Sequence, residues 1–134
     1  MRITQELAKY YSELKFRQLP EEVVDRVKYL FLDFIGVACR GSQEESSKSV
    51  YRFIREMDSE KRGGVIIGKR ESASFIYSAL ANGVSSHAIE MDDVNNEASL
   101  HPGVVVFPTA LATGEMGGAS GKDFIEAVVL VSYK

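Results

Sequence analysis

Apolar residues recur along most of this chain at the three- and four-residue spacing of an amphipathic helix. Six stretches share the spacing and are predicted to be helices: 4–14, 20–41, 43–57, 72–91, 108–116 and 120 onwards. The apolar run at 65–67 is too short for a helix and is predicted to be extended. The pattern therefore predicts an all-α fold, a helical bundle of about six helices with one short extended segment near 65–67.

Residues at the predicted helix ends refine these limits. Thr4 is a candidate N-cap for the first helix. Pro20 suits the first turn of the second, where Glu21 and Glu22 complement the helix dipole, and Gly41 suits its end. The helix at 72–91 is rich in alanine and serine. Five of its residues are spaced for close packing against a neighbour: Phe75, Ile76, Ala79, Leu80 and Gly83.

The composition narrows the class of protein. With 134 residues, 45% apolar and 26% charged, the chain is expected to form one globular domain. A net charge of −3 provides no basic footprint, so no nucleic-acid partner is expected. The single Cys39 agrees with a reducing compartment. Since there is no apolar signal core, and the run at 29–39 is interrupted by Asp33, we expect a cytoplasmic protein with no membrane partner.

The end of the chain is unusual for a complete domain. Residues 127–134 continue an apolar helix to Lys134 without a stop signal. This is typical of a chain cut short, or of one that ends against a partner. Apolar helix faces left exposed would be covered by a second copy, so a homodimer or larger assembly is expected.

The candidate chemistry lies in residues 82–103. Both histidines of the chain, His87 and His101, fall there together with Glu90, Asp92 and Asp93. Acid–base catalysis needs such groups side by side, because protons must be given and taken within one site. This segment is therefore the predicted functional site.

Each member of the cluster also has a purely structural interpretation. His87 and Glu90 share a helix face, which resembles half of a carboxylate-bridged metal site, but no second pair exists and no metal is predicted. His87 is then a histidine packed between helices. Asp92 and Asp93 are either a solvated helix end or functional carboxylates that oppose the helix dipole. His101, held extended by Pro102, is either a general acid or base or a surface histidine.

A glycine-rich stretch at 114–122 invites comparison with a phosphate-binding loop. Met116 stands where that loop needs its first glycine, and Asp123 where it needs serine or threonine. The stretch is therefore interpreted as the end of one helix and the start of the next.

The order of several short motifs resembles the N-terminal part of the MmgE/PrpD family over nearly the whole chain. The motifs are Leu7-Ala8, Pro20-x-x-Val23, Leu32-Asp33-Phe34-Ile35-Gly36-Val37, Ala81-Asn82-Gly83, His87-Ala88, Asp92-Asp93, His101-Pro102-Gly103, Pro108-x-x-Leu111-Ala112, Glu115 and Ser120-Gly121-x-Asp123. The family includes 2-methylcitrate dehydratase, cis-aconitate decarboxylase and iminodisuccinate epimerase. The resemblance implies that residues 1–134 form the first section of a helical domain, without the family's lid domain.

The resemblance also implies a chemistry, namely proton removal beside a carboxylate of a small polycarboxylic acid without a cofactor. It implies a 2-methylcitrate dehydratase-like lyase or isomerase in which His101, Asp93 and Glu90 are catalytic. Asp92 would bind the substrate. Val94 stands where several members carry a substrate-contacting threonine, and because valine has no hydroxyl, Asn95 or Asn96 would take its place. The family's remaining histidine and lysines are absent, so the isolated chain is expected to be inactive. The alternative is a truncated, non-catalytic helical module that self-associates.

Overall fold

A computed structural model describes residues 2–60 and 63–132, and most of these residues are helical. Six α-helices follow one another: α1 (Ile3–Glu13), α2 (Glu21–Gly41), α3 (Glu45–Met57), α4 (Phe75–His87), α5 (Gly103–Gly117) and α6 (Gly121–Ser132). A short 3-10 helix, Phe16–Gln18, links α1 to α2. Strands β1 (Gly64–Val65) and β2 (Ser72–Ala73) pair antiparallel. The predicted helical bundle is confirmed, and Tyr133 and Lys134 lie outside the described residues.

The ends of α2 agree with the sequence, whereas the start of α1 does not. Pro20 directly precedes α2, Glu21 and Glu22 lie in its first turn, and Gly41 is its last residue. Thr4, however, lies inside α1. Arg2 holds the N-cap position without a side-chain cap hydrogen bond, so the predicted Thr4 cap is wrong.

Helix α4 is shorter than predicted at both ends. It begins at Phe75 because residues 72–73 are used as β2, which pairs with the predicted extended segment. It ends at His87, and Glu90 then adopts a φ of 54°, a left-handed conformation that breaks the helical path. Asp92 and Asp93 therefore lie in an irregular loop and not on a helix end.

Helix α5 begins five residues before its predicted start, so Pro108 lies inside it. A proline there leaves the carbonyl of residue 104 without its helical N–H partner. That carbonyl lies against Gly83 of α4, where an added Cβ would approach it to 3.1 Å. Pro108, which the sequence pattern marks as a helix start, thus lies inside α5 where that helix passes close to α4.

The core is formed where α4 crosses α2 and where α5 and α6 close over α2. Buried residues from three helices meet in one cluster: Val27, Phe34, Phe107, Val128 and Val129. At the other crossing, a Cβ on Gly41 would overlap the carbonyl oxygen of Ser85, so the two backbones are in contact there. The Gly41 contact holds the C-terminal end of α4 against α2.

The buried face of α4 combines Ala81 with polar side chains, whereas Ile76 and Leu80, two of the apolar residues predicted to pack, are exposed. Ser78, Asn82, Ser85 and Ser86 are buried, whereas Ile76 is 81% exposed. Asn82 explains the difference, because its amide accepts a 2.8 Å hydrogen bond from the Ile67 N–H and donates one of 2.8 Å to the Val65 carbonyl. The extended segment beside α4 needs partners for its backbone, and these polar side chains provide them.

No helix among residues 2–60 and 63–132 is long and apolar enough to cross a membrane.

Candidate acid–base site

The candidate site lies where α4 ends and the chain turns back toward α5. His87 is the last residue of α4, and residues 88–102 form an irregular loop. Within it, Asn95 and Leu100 exchange two backbone hydrogen bonds, of 2.8 and 3.2 Å, and so close a tight reversal. This reversal returns the chain, so that His101 meets Asp92 across nine positions of sequence.

One carboxylate holds both imidazole rings. The Asp92 Oδ2 atom lies 2.7 Å from His101 Nδ1, and Oδ1 lies 3.0 Å from His87 Nδ1. The ring centroids are 4.8 Å apart, with the planes inclined by 67°. A carboxylate that accepts hydrogen bonds from two rings restrains the orientation of both, so the three side chains form one unit, called the His–Asp–His cluster below.

The cluster is buried at its centre and open at its edges. The Asp92 side chain is 4% exposed, against 43% for His87 and 32% for His101. Burial by itself raises the pKa of Asp92, whereas hydrogen bonds from His87 and His101 lower it. The lowering is the larger of the two effects, so the pKa of Asp92 lies below its ordinary value. Asp92 is thus an ionised carboxylate at neutral pH. When each Nδ1 carries the proton that Asp92 accepts, the Nε2 atom of each ring is its basic nitrogen.

Glu90 lies beside His87 and not beside His101. Its Oε1 atom is 3.5 Å from His87 Nε2, and its side chain is 75% exposed. The spacing of three residues correctly placed the two side chains together, although the chain has left the helix by Glu90. Of the three predicted catalytic residues, His101 and Glu90 therefore contact the same cluster at opposite ends.

Asp93 contacts a different part of the molecule. Its Oδ1 atom accepts a 3.0 Å hydrogen bond from the Gly103 N–H at the start of α5, and a Cβ on Gly103 would overlap that oxygen. The carboxylate also lines a cavity of about 480 Å³ whose walls include Val27 and Phe107. Burial raises the pKa of Asp93 above its ordinary value. Its geometry is that of a helix cap beside an apolar cavity, and its catalytic role stays a prediction.

The predicted substrate-binding asparagines lie on the exposed reversal. Asn95 and Asn96 are exposed, as is Val94. The Asn95 Oδ1 atom accepts a 3.1 Å hydrogen bond from the Ala98 N–H, which stabilises the turn. Asp92, the third residue predicted to contact substrate, is instead enclosed by the two histidines. Substrate contact by these residues stays a prediction.

The cluster also contains the ligand types of a metal site. One atom each of His87, Asp92 and His101 lies within 4.8 Å of the others, and these are the candidate ligands among residues 2–60 and 63–132. This group of three possible metal ligands differs from the His87–Glu90 pair that the sequence analysis compared with half of a metal site. The role of His87 in it was missed, because the loop geometry that brings His101 within reach has no signature in the sequence.

Comparison of the sequence with known proteins assigns the chain to a family. Residues 5–131 match the model of the MmgE/PrpD N-terminal domain. The chain belongs to the MmgE/PrpD family. It is 31% identical over 135 residues to the cis-aconitate decarboxylase-like protein oryM of Aspergillus oryzae, which covers 96% of this chain. It is also 31% identical over 121 residues to a cis-aconitate decarboxylase of Aspergillus terreus, and 27% identical over 114 residues to that of Mus musculus, covering 90% and 84% of this chain.

The matched region is a minor part of these relatives. It spans 28%, 24% and 23% of the lengths of the three proteins just named. The family is therefore established for this chain, whereas the activity, substrate and partners of a whole enzyme are matters for proposal.

Proposed function

We propose that this MmgE/PrpD chain supplies the proton-transferring wall of a cofactor-independent lyase or isomerase that acts on a small polycarboxylic acid. Residues 1–134 would be the first section of the helical domain, completed by sequence outside this chain. The observation that carries the proposal is the His–Asp–His cluster, in which a buried carboxylate orients His101 by a 2.7 Å hydrogen bond. The relatives named as cis-aconitate decarboxylases support a tricarboxylate as substrate.

The role of His101 follows from the arrangement around its ring. Asp92 accepts from Nδ1, so Nε2 is left to give or take a proton at the substrate. In a decarboxylation, the bond to the departing carboxylate breaks, carbon dioxide leaves, and its electron pair stays on carbon. That carbon then takes a proton from Nε2 of His101, which would enter the step as an imidazolium paired with Asp92 and leave it as a neutral imidazole. In a dehydration or an epimerisation the same nitrogen would first remove a proton from carbon.

Asp92 is proposed as a positioning residue rather than a substrate ligand. Its side chain is 4% exposed, and both of its oxygens are used by the histidines. An ionised carboxylate in this position would stabilise the imidazolium that forms when His101 takes a proton. The exposed parts of the cluster, His101 Nε2 together with His87 and Glu90, would face the substrate instead.

The test is a chimaeric enzyme in which this chain replaces the matched region of the Aspergillus terreus cis-aconitate decarboxylase. We expect the chimaera to release carbon dioxide from cis-aconitate and His101→Ala to reduce the rate by roughly 10²–10⁴-fold, as for loss of a general acid. Lys9→Ala, exposed on α1 and away from the cluster, is the control and should retain the rate. A folded chimaera that is inactive, or that keeps its rate in His101→Ala, contradicts the proposal.

The isolated chain is expected to be inactive, because lysines and a further histidine found in the family would lie on the missing sequence. Turnover of cis-aconitate or 2-methylcitrate by the purified chain, lost in His101→Ala, would overturn this expectation. Carbon dioxide release and the absorbance of the unsaturated acid are the measurements.

A second candidate is a non-catalytic module that self-associates. One observation favours it: α4 and α5 leave an apolar groove of about 570 Å³ at the surface, lined by Leu80, Val84 and Val105. Val105 is 64% exposed and Leu80 41%. We expect a dimer or larger by light scattering at micromolar concentration and a monomer for Val105→Asp, with Thr113→Asp, exposed on the same helix, as the control. A monomeric wild-type chain contradicts this candidate.

A further inference from the structure

A second cavity, of about 520 Å³, lies between α3 and the segment at 66–72 that follows β1 and ends at β2. Its size is within the range of small-molecule sites in proteins. Its lining residues belong to α3, to Asp58 directly after that helix and to this segment, and none of them belongs to the His–Asp–His cluster. The cavity is called the α3 pocket below.

The floor of the α3 pocket is apolar and held in place. Ile54 and Ile66 are 4% and 5% exposed, and the Tyr51 ring is 8% exposed. The Tyr51 hydroxyl is hydrogen-bonded to Ser85 Oγ of α4 at 2.7 Å, which fixes the ring. The apolar floor favours a ligand with an apolar or aromatic body. Because the floor is already fixed, binding such a ligand requires little further loss of side-chain entropy.

Cations line one end of the α3 pocket. Lys48 and Arg52 lie one turn apart on α3, and Lys69 Nζ lies 4.6 Å from the centroid of the Tyr51 ring. Lys48 is paired with Glu45 at 2.8 Å. Within residues 2–60 and 63–132, no carboxylate oxygen lies at ion-pair distance from Arg52 or Lys69, whereas six other lysines and arginines have such a partner. Arg52 instead donates a 2.9 Å hydrogen bond to Ser49 Oγ.

Carboxylates at the other end give the α3 pocket a polarity. Glu71 pairs with Arg55 at 2.8 Å, and the buried Asp58 accepts a hydrogen bond of 2.6 Å from the Ser74 N–H. Arg55, which holds Glu71, lies about one turn further along α3 than Arg52, and Asp58 directly follows the end of that helix. An anionic group is therefore favoured only at the Arg52 and Lys69 end, with the ligand body over the apolar floor.

We propose that the α3 pocket binds an aromatic phosphate monoester, such as a nucleoside monophosphate. Arg52 and Lys69 would hold the dianionic phosphate, because a guanidinium fork matches phosphate oxygens and an ammonium adds a compact charge. The aromatic body would lie on Ile54, Ile66 and the edge of Tyr51. This inference does not depend on the proposed acid–base function, since the two sites share no residue.

The test is calorimetry of the purified chain at low ionic strength with three probes: AMP, adenosine and inorganic phosphate. We expect AMP to bind in the micromolar range, and the two halves to bind at least roughly tenfold more weakly, since each makes only part of the contacts. Arg52→Ala/Lys69→Ala should weaken AMP binding by roughly tenfold or more. Lys9→Ala/Lys28→Ala removes two exposed cations elsewhere and is the matched control. It should leave the affinity within about twofold, because distant surface charges are screened.

Amide chemical shifts of the wild-type chain locate the ligand even if a variant does not fold. AMP should move the signals of Tyr51, Ile66 and Lys69, and His101→Ala should bind AMP as tightly as the wild type. Three results overturn the inference: no AMP binding, inorganic phosphate binding as tightly as AMP, or shifts confined to the loop at 88–102. The last result would assign the anion to the acid–base site instead.

Discussion

Replacing Asp92 with asparagine tests whether one buried carboxylate organises the candidate site. The change keeps the size of the side chain but removes its charge. An amide offers one acceptor atom, whereas the carboxylate accepts from both histidine Nδ1 atoms, at 3.0 and 2.7 Å. At least one imidazole must then change tautomer or rotate toward solvent.

The expected loss of stability follows from these two hydrogen bonds. A hydrogen bond to a charged group contributes roughly 1.5–3 kcal/mol. Both rings are about one third or more exposed, so water replaces part of each lost interaction. We therefore expect Asp92→Asn to lower the free energy of unfolding by about 1–3 kcal/mol in total, and the Tm by about 4–10 °C for a domain of this size.

The pH dependence supplies a sharper check. Because the pKa of Asp92 is lowered in the folded chain, its contribution is present above the ordinary carboxyl pKa of 3.8 and is lost as pH falls through the folded value. Urea unfolding of wild type and variant should thus differ at pH 7 and converge in acid. Asp25→Asn, which removes an exposed carboxylate paired with Lys28, is the control and should change little. Equal stabilities of wild type and Asp92→Asn at pH 7 would refute the argument.

Four further substitutions have effects of defined sign. Burial raises the pKa of Asp93, so its protonated carboxyl group favours the folded state in acid, and that contribution is lost as the pH rises through the folded pKa. The stability of Asp93→Asn relative to wild type should therefore increase from acid to neutral pH in urea unfolding, and a decrease would contradict this. Glu90→Gly should raise the urea midpoint by an amount equivalent to about 1 kcal/mol, because glycine adopts its φ of 54° without strain, and an unchanged midpoint would count against strain there. Gly41→Ala should lower the Tm by an amount equivalent to about 1–3 kcal/mol, since its Cβ would overlap the α4 backbone. Gly36→Ala, with open space around its Cβ, should instead stabilise α2 by about 0.5–1 kcal/mol, and equal effects of the two would refute the close crossing.

Helices α2 and α3 were predicted within a few residues, and the physical reason is local. Their apolar residues repeat at helical spacing, and Pro20 and Gly41 mark the ends of α2. Such signals act within one or two turns, so they can be recognised without knowledge of the neighbours. The start of α5 could not be recognised in the same way. Its first N–H is capped by Asp93 from ten residues earlier, and its internal Pro108 lies against Gly83 of α4, a contact that the local sequence does not reveal.

The polar face of α4 is a second case in which tertiary contacts override the pattern. The apolar residues Ile76 and Leu80 indicated a packing face, yet they are exposed, and Ser78 and Asn82 are buried. Asn82 serves the backbone of the extended segment through two hydrogen bonds. Hydrophobic periodicity contains no information on which neighbour needs a hydrogen-bond partner, so this choice was not predictable.

The sequence by itself determined the helical class, the family resemblance and the segment that holds the candidate chemistry, because composition, spacing and motif order are properties of the chain alone. Only the tertiary structure decided which carboxylate serves which group. Asp92 and Asp93 are adjacent in an irregular loop, yet their carboxylates contact different parts of the molecule. The return of the chain at Asn95 and Leu100 brings His101 to Asp92, whereas the start of α5 takes Asp93. Two aspartates that the sequence could only treat as a pair thus have different environments, with pKa values displaced in opposite directions.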